Sequence, residues 1–355
     1  MYPEQKIIIR KAETKDADLL SQLARAGFPG YPFLGVYQPE IIRQQIQNGE
    51  QRYVLETEMG LVATAVLGGS QQMREICRVV VSPQYRGNGV GKAITKSLYD
   101  EATINGWSPW ADVRAVQPAM QRSALSAGMY PVSVESGKHV VYDHRDQNDH
   151  PTSPARESMI HFTSLIADPS QLRRQLNLWP LSLKQVLLTN IKSALNLSQP
   201  DRGLAHLLLP DAQSVKSKIH SELQKMSLAT DITRDSDIEV IDLSGNKVLI
   251  IKPDASAFIL ENNHPGSVDL NTLAELGIQV VTAYCDADQI DTIDSLARLK
   301  MEPAMLRPWQ NEIGSATVWQ VGCRRFLNQG HQLIEPVNID PQIRSQLEQF
   351  FTYLT

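Results

Sequence analysis

Residues 84–93 read QYRGNGVGKA: Arg86 stands ahead of Gly87, Gly89 and Gly91, and Lys92 follows, with the apolar run ICRVVVSP directly upstream. A strand that ends in a glycine-rich turn and then enters a helix is suited to holding a phosphate. Glycines let successive backbone N–H groups turn inward without a Cβ in the way, and the helix N-terminus adds its dipole. Three designs compete for this spacing. A P-loop needs GxxxxGK[ST]; counting back from Gly91 and Lys92, Arg86 occupies the first glycine position and Ala93 the Ser/Thr position. A dinucleotide fingerprint, GxGxxG, accepts Gly87 and Gly89 but meets Lys92 where its third glycine belongs. A third pattern, [RQ]xxGx[GA], is met in full by Arg86-Gly87-Asn88-Gly89-Val90-Gly91.

The elements around this turn alternate. KIIIRKA reads as a strand and TKDADLLSQLARAG as a helix, with Thr14 or Asp16 near its N-cap and Gly27 past its end. After the loop FPGYPFLGVY comes a short helix, QPEIIRQQIQNG, then a hairpin (QRYVLETE with GLVATAVLGG) and the strand REICRVVVS. From Gly89 onward Val90, Ala93, Ile94, Ser97, Leu98 and Ala102 recur at helical spacing. A strand (WADVRAV), a helix (AMQRSALSAG) and a final strand pair (YPVSVE with KHVVYDH) complete a mixed α/β domain, an α+β mixed sheet in the order βααβββαβαββ.

At 355 residues, two domains are expected. The proline-bearing polar stretch DHRDQNDHPTSPARE marks the boundary, so the division expected is residues 1–147, a linker over 148–157, and an accessory α/β domain over 158–355. Within that second half, residues 280–306 repeat the order of 113–134: strand, polar turn, short helix, then a methionine two residues before a proline. KVLIIKPDASAFILENNHPGSVDLNTLAELG stands where the glycine turn would be, yet keeps only Gly266. Two readings stand open here: a degenerate tandem repeat of the first domain, and an unrelated α/β domain.

Composition sets further bounds. A net charge of −5 speaks against nucleic acid or an anionic membrane surface as partner. No run of 18 or more apolar residues suggests a membrane span, and the first residues lack the pattern of a signal peptide. Three cysteines far apart, Cys77, Cys285 and Cys323, suit a reducing cytoplasm and offer neither a disulfide framework nor zinc spacing, and no metal site is expected among the scattered histidines.

Over roughly residues 5–145 the sequence resembles the GNAT superfamily of N-acyltransferases. The motif Arg86 to Gly91, the preceding VVVSPQY and the opening IIIRKAETKDADLLSQL carry that likeness. The resemblance implies acetyl-coenzyme A or a longer acyl-coenzyme A as co-substrate. Backbone groups of Val79 and Val81 would meet its pantetheine arm, and the amides around Gly87, Asn88, Gly89, Val90, Gly91 and Lys92, beside Arg86, its pyrophosphate. It also implies an oxyanion contact from a backbone N–H near Val80, and a general base, for which Glu75 stands in place; the alternative for Glu75 is a structural pair with Arg74 or Arg78. Where many members carry a general-acid tyrosine ahead of a Gly-Phe pair, this chain has Ala124 ahead of Gly128-Met129, and Gln117 replaces a common asparagine. Ser123 or Tyr130 are the candidate substitutes, and the thiolate, a good leaving group, can also depart without an acid.

The acceptor expected is an amine on a small molecule or peptide. Phe28, Tyr31, Phe33 and Tyr37 make the first interhelical loop a wall for an apolar acceptor or a long acyl chain, or else a surface packed on the second domain, with LNLWPLSLKQVLL as its partner. The reading is therefore an acyl-CoA-dependent N-acyltransferase, with a fatty-acyl transferase acting on a peptide or natural-product amine and a non-catalytic acyl-CoA sensor as alternatives. A homodimer is compatible with each.

Overall fold

The first half builds a seven-stranded sheet from β1 (Ile8–Lys11), β2 (Gln51–Thr57), β3 (Gly60–Gly69), β4 (Met73–Val81), β5 (Ser108–Arg114), β6 (Tyr130–Val140) and β7 (Arg156–Thr163), in the order β1-β2-β3-β4-β5-β7-β6. The computed structural model describes residues 7–31, 33–69, 72–140, 156–165, 168–195, 212–226, 236–260, 267–310, 316–327 and 338–354. Every neighbouring pair in this sheet is antiparallel except β4 with β5. Successive side chains of a strand point to opposite faces, and helices cover both. Val54 of β2 packs with Ala17, Leu20 and Ile42 of α1 (Ala17–Gly27) and α2 (Pro39–Gln47). Leu55, the next residue, joins the core that holds Ile94 and Leu98 of α3 (Val90–Ile104) and Ala124 of α4 (Pro118–Ala127).

Strand β4 is irregular on both of its edges. Its pairing with β5 runs only over Met73, Arg74 and Glu75, opposite Ser108, Pro109 and Trp110, and beyond Glu75 the two strands part. On its other edge Cys77 faces Val66 and Val80 faces Thr64, so Arg78 and Val79 together oppose Ala65 in a bulge, with Arg78 at φ 50°. A bulge bends its strand, and here it lies where β4 leaves β5. The end of α1 comes down on the same stretch: a Cβ added to Gly27 would lie 2.5 Å from Val80 Cγ1 and 3.1 Å from the Val81 carbonyl oxygen.

The last strands differ from expectation. Residues 130–140 are one strand, not the two halves of a hairpin. The segment around Gly137 that reads as a turn is an irregularity in β6, between the pairs Glu135 with Met159 and His139 with Glu157. The buried Arg156 side chain donates to the carbonyls of Gly137 (2.7 Å) and Lys138 (2.6 Å) and so holds this stretch. The antiparallel neighbour of β6 is β7, which also pairs with β5. Arg156–Thr163, placed by sequence at the end of the linker and the start of the second domain, thus belongs to the first sheet; linker residues 148–155 lie outside the described residues.

The second sheet contains β8 (Ile238–Leu243), β9 (Asn246–Ile251), β10 (Ser256–Ile259), β11 (Val280–Asp286), β12 (Glu302–Trp309) and β13 (Val318–Phe326), ordered β12-β13-β11-β10-β9-β8. From β8 onward, strand order and pairing sense repeat those of the first sheet from β2 onward: two antiparallel steps, one parallel step, two antiparallel steps, with the last strand inserted. The repeat read in residues 280–306 is β11, α9 (Ile290–Arg298) and β12. In one respect the sheets differ: all four residues of β10 pair with β11, so this sheet does not part.

The halves share a core. Buried residues of both sheets, with α5 (Pro169–Asn177), α6 (Leu181–Leu195), α7 (Ala212–Lys225), α8 (Leu270–Glu275) and α10 (Pro341–Leu354), form one apolar cluster. The edge strands β6 and β12 lie side by side with α6 against both, so the apolar stretch that begins LNLW packs there. Polar ties cross as well. Gln121, wholly buried on α4, donates to the Asn338 carbonyl (3.1 Å) and accepts from the Asp340 N–H (2.7 Å), and Arg324 of β13 pairs with Glu135 of β6.

Candidate active site

At the end of β4 the chain turns through Gly87 (φ 78°) and Gly89 (φ 77°), both left-handed, and a Cβ built on either would meet nothing within 4 Å. Backbone conformation, not crowding, calls for glycine here. Gly89 is the N-cap of α3 and no side chain caps it, so the first-turn amides of Val90, Gly91 and Lys92 have no acceptor within the helix. Asn88 is exposed on the same turn. This is a cradle for an anion, and it fits a pyrophosphate. Arg86 does a further job: its Nη2 donates to the Gly27 carbonyl at 2.8 Å and its Nε to the Val81 carbonyl at 3.4 Å, tying the end of α1 to the turn. In the second half the corresponding helix, α8, is closed to such a ligand: the Asp269 carboxylate accepts from the Asn271 (3.0 Å) and Thr272 (3.4 Å) amides. Gly266 lies outside the described residues.

Where β4 and β5 part, a cleft of about 1480 Å³ opens between the first sheet, the α1–α2 loop and the second half. Val79 is in its wall, while Val80 and Val81 are paired to Thr64 and Ala63 of β3. Glu75 sits at the fork itself, half-buried in the wall. It pairs with neither neighbouring arginine: Arg74 lies over the Trp107 ring at 4.3 Å, and Arg78 meets Glu50 at 2.8 Å. Burial, reinforced by the Asp112 carboxylate, raises the Glu75 carboxyl to about 7, against the weaker pull of Lys138, Arg78 and His139. A group so placed exchanges its proton near neutrality. Cys77, also in the wall, is pushed up to about 12, chiefly by burial and then by Glu75, and stays a thiol. That disfavours a covalent acyl-cysteine route, because the thiolate is the nucleophile.

Tyr130 is not brought to this cleft. It begins β6 opposite Thr163 and lines a separate cavity with Trp319 and Phe350. The strand register that starts at Tyr130 turns its ring toward α10 rather than toward Glu75. Ala124 does reach the cleft wall, as do Gln117 and Met120, so the position is present without a hydroxyl; the Ser123 hydroxyl is spent on the Ala119 carbonyl at 3.0 Å. Phe28, Tyr31 and Phe33 line the cleft as expected, their rings in contact at 4.8 and 5.5 Å.

Several groups in and beside the wall escaped the sequence reading. Asp112 on β5 joins Lys138 of β6 and, at 2.9 Å, His161 of β7. Burial alone would raise the Asp112 pKa, but Lys138 and His161 outweigh it and hold the carboxyl well below its ordinary range. Burial also lowers His161, more than Asp112 restores. Lys138 is held above the usual lysine value by Asp112 and Glu135, despite burial. Three further cations of the wall are paired likewise: Arg114 with Glu157, His139 with Asp254 at 3.1 Å, Lys216 with Asp237 at 2.9 Å. The second half also lines the cleft, with Tyr284, Arg307 and Trp309. No sequence signal near residue 75 points to them. Among the described residues no three His, Cys, Asp or Glu side chains converge as a metal would need, and no helix is long and apolar enough to cross a membrane.

Residues 23–114, which hold the fork and the glycine turn, match the family model of the acetyltransferase (GNAT) domain. The match to a GNAT domain is confined to that stretch of the first half. No curated protein matches the chain. Similar solved structures include the ribosomal-protein-S18-alanine N-acetyltransferase of Escherichia coli (19% identity, 46% of this chain and 97% of that one, TM-score 0.36). The ribosomal-protein-S5-alanine acetyltransferase of Vibrio fischeri is 11% identical (47% and 97%, TM-score 0.38). The Salmonella typhimurium protein yncA, named as an acetyltransferase and solved with its cofactor acetyl-CoA, is 17% identical (46% and 95%, TM-score 0.37).

Proposed function

We propose that the protein transfers an acyl group from acyl-coenzyme A to a primary amine by direct attack, in the GNAT domain, with the second half walling the acceptor side. One observation carries the reading: an unpaired carboxyl raised to about 7, Glu75, stands at the fork of β4 and β5, on the strand that ends in the uncapped glycine turn. Coenzyme A would supply the activated thioester. The amides from Gly87 to Lys92 hold its pyrophosphate, and the edge of β4 beyond Glu75, which bears no ladder to β5, receives the pantetheine arm. Glu75 accepts a proton from the incoming ammonium, directly or through a water, and leaves the amine free to attack. A backbone N–H near Val80 meets the negative charge that develops on the thioester oxygen. The thiolate leaves without a side-chain acid, since Ala124 offers none. A cleft of about 1480 Å³ exceeds the roughly 300–1,000 Å³ of an ordinary ligand pocket, which favours a longer acyl chain or a sizeable acceptor over acetyl and a small amine.

The second half, on this reading, is a degenerate repeat that has kept the strand order and lost the cradle. The test is a calorimetric titration with coenzyme A on the full chain and on Gly89→Asp, together with coenzyme A release from acetyl- and longer acyl-CoAs with candidate amines. Gly89→Asp should fold, because its Cβ has open space and aspartate adopts the left-handed conformation at a cost of about 1–2 kcal/mol, and should bind coenzyme A at least tenfold more weakly, because a carboxylate then stands beside the pyrophosphate. Unchanged affinity in the folded variant would overturn the assignment of the turn. Tight binding with no release for any amine would favour the sensor reading instead.

A further inference from the structure

All but two of the charged groups in the wall of the cleft have an ion-pair partner. Among the described residues, Glu75 has no ion-pair partner and neither does Arg307, and both line the same cleft. Arg307 is built in place rather than left loose. Strand register puts it opposite Gln320, whose Oε1 accepts from Nε (3.2 Å) and Nη2 (3.0 Å), while Asp286 holds the Gln320 amide from behind at 3.2 Å. The guanidinium lies 3.5 Å from the Tyr284 ring centroid and 4.2 Å from that of Trp309. Held against two aromatic rings, its fork has no carboxylate of its own among the described residues.

A chain of rings joins the two groups. Trp110 pairs with Glu75 across β4 and β5, and its ring centroid is 6.3 Å from that of Trp309, which touches Arg307. The Trp110 indole N–H is buried and meets no acceptor among the described residues. A buried donor without an acceptor is costly, and this one lies between the two groups, closed to the space of the cleft. The two tryptophan rings thus bridge the base and the cation.

We propose that the acceptor is an amine that also carries a carboxylate, its amine directed to Glu75 and its carboxylate held by Arg307 as a charge-assisted pair. This rests on the acyltransferase reading above and adds the acceptor's second functional group. An unpaired guanidinium beside an unpaired carboxylate complements a molecule with both charges, and it disfavours simple alkylamines, which leave Arg307 unmet.

The test is binding first and turnover second. Straight-chain ω-amino acids, from glycine to 6-aminohexanoate, and their methylamides are titrated against the full chain saturated with coenzyme A, following tryptophan fluorescence. Coenzyme A release from acetyl-CoA is then measured with the same probes. The free acid of the best-fitting length should bind on the order of 10- to 100-fold more tightly than its amide, and the length preferred reports the spacing of the two groups. Arg307→Gln should abolish that preference by weakening the acid alone and leave coenzyme A affinity unchanged; Arg307→Lys should restore part of it. Equal affinity of acid and amide in the wild type, a preference untouched in Arg307→Gln, or no binding by any probe would overturn the proposal. Bound acids with no coenzyme A release would instead leave the anion site standing and count against the transferase reading.

Discussion

At the scale of single residues the fork glutamate makes the sharpest demands. If Glu75 takes the proton, Glu75→Gln should lower turnover about 10²- to 10⁴-fold while coenzyme A affinity holds, and the wild-type rate should climb through about pH 7 where the variant stays flat. Stability should move the other way. A carboxyl raised from 4.5 to about 7 binds its proton more tightly in the folded chain, so the wild type loses stability as pH rises through that window. Above pH 7 the glutamine variant should therefore be the more stable protein, by at most about 3 kcal/mol, and below pH 4.5 the difference should vanish. Urea melts at the two ends of the range measure it; a difference that ignores pH would mean Glu75 titrates as an ordinary surface carboxyl. This residue was legible in the sequence because its spacing from the glycine turn is local to one strand. Arg307 was not, because its role depends on the pairing of β12 with β13 and on a wall more than two hundred residues away from Glu75. Tyr130 shows the converse: a tyrosine near the expected place in sequence, turned to the other cavity by the register of β6.

At the scale of elements, the junction of α1 with β4 holds the fork open. Gly27 lets the helix end touch Val80 and the Val81 carbonyl, and Arg86 binds the same Gly27 carbonyl from the glycine turn. Gly27→Ala drives a Cβ into a valine branch and a backbone oxygen, and neither can swing aside. It should destabilise the chain by about 1–3 kcal/mol by overpacking and weaken coenzyme A binding through the displaced turn, whereas at an unpacked helix end the same change would be neutral or stabilising. Chemical denaturation with a paired coenzyme A titration reads both effects. Helices α1 to α4 and strands β1 to β5 could be read from periodicity and caps, since each signals itself locally. Strand β7 could not. Its eight residues are buried throughout, and nothing within a buried run tells which sheet it enters or between which strands. The break expected at Ser136-Gly137, between YPVSVE and KHVVYDH, was misread for a related reason: a glycine permits a bulge as readily as a reversal, and Arg156, nineteen residues on from Gly137, decides between them.

For the whole molecule, two sheets of the same strand order meet edge to edge, yet they are not equivalent. One parts and ends in an open cradle; the other stays paired and caps its helix with Asp269. The full chain should accordingly take up one coenzyme A, and a calorimetric stoichiometry of two would show a second cradle. The sequence repeat over 280–306 covers only β11, α9 and β12 and left an unrelated second domain open; the shared order, the continuous core and the cleft between the halves followed only from pairing and packing. The placement of β7 has a further consequence, for synthesis. A ribosome delivers β5 and β6 before the strand that belongs between them, at about 5–20 residues per second. Until residue 163 has emerged, the two strands have no shared neighbour, and the nascent first half carries an unfilled slot with polar backbone on both sides. Whatever keeps that slot from pairing with another chain acts during those seconds, before the domain that bears the cradle is whole.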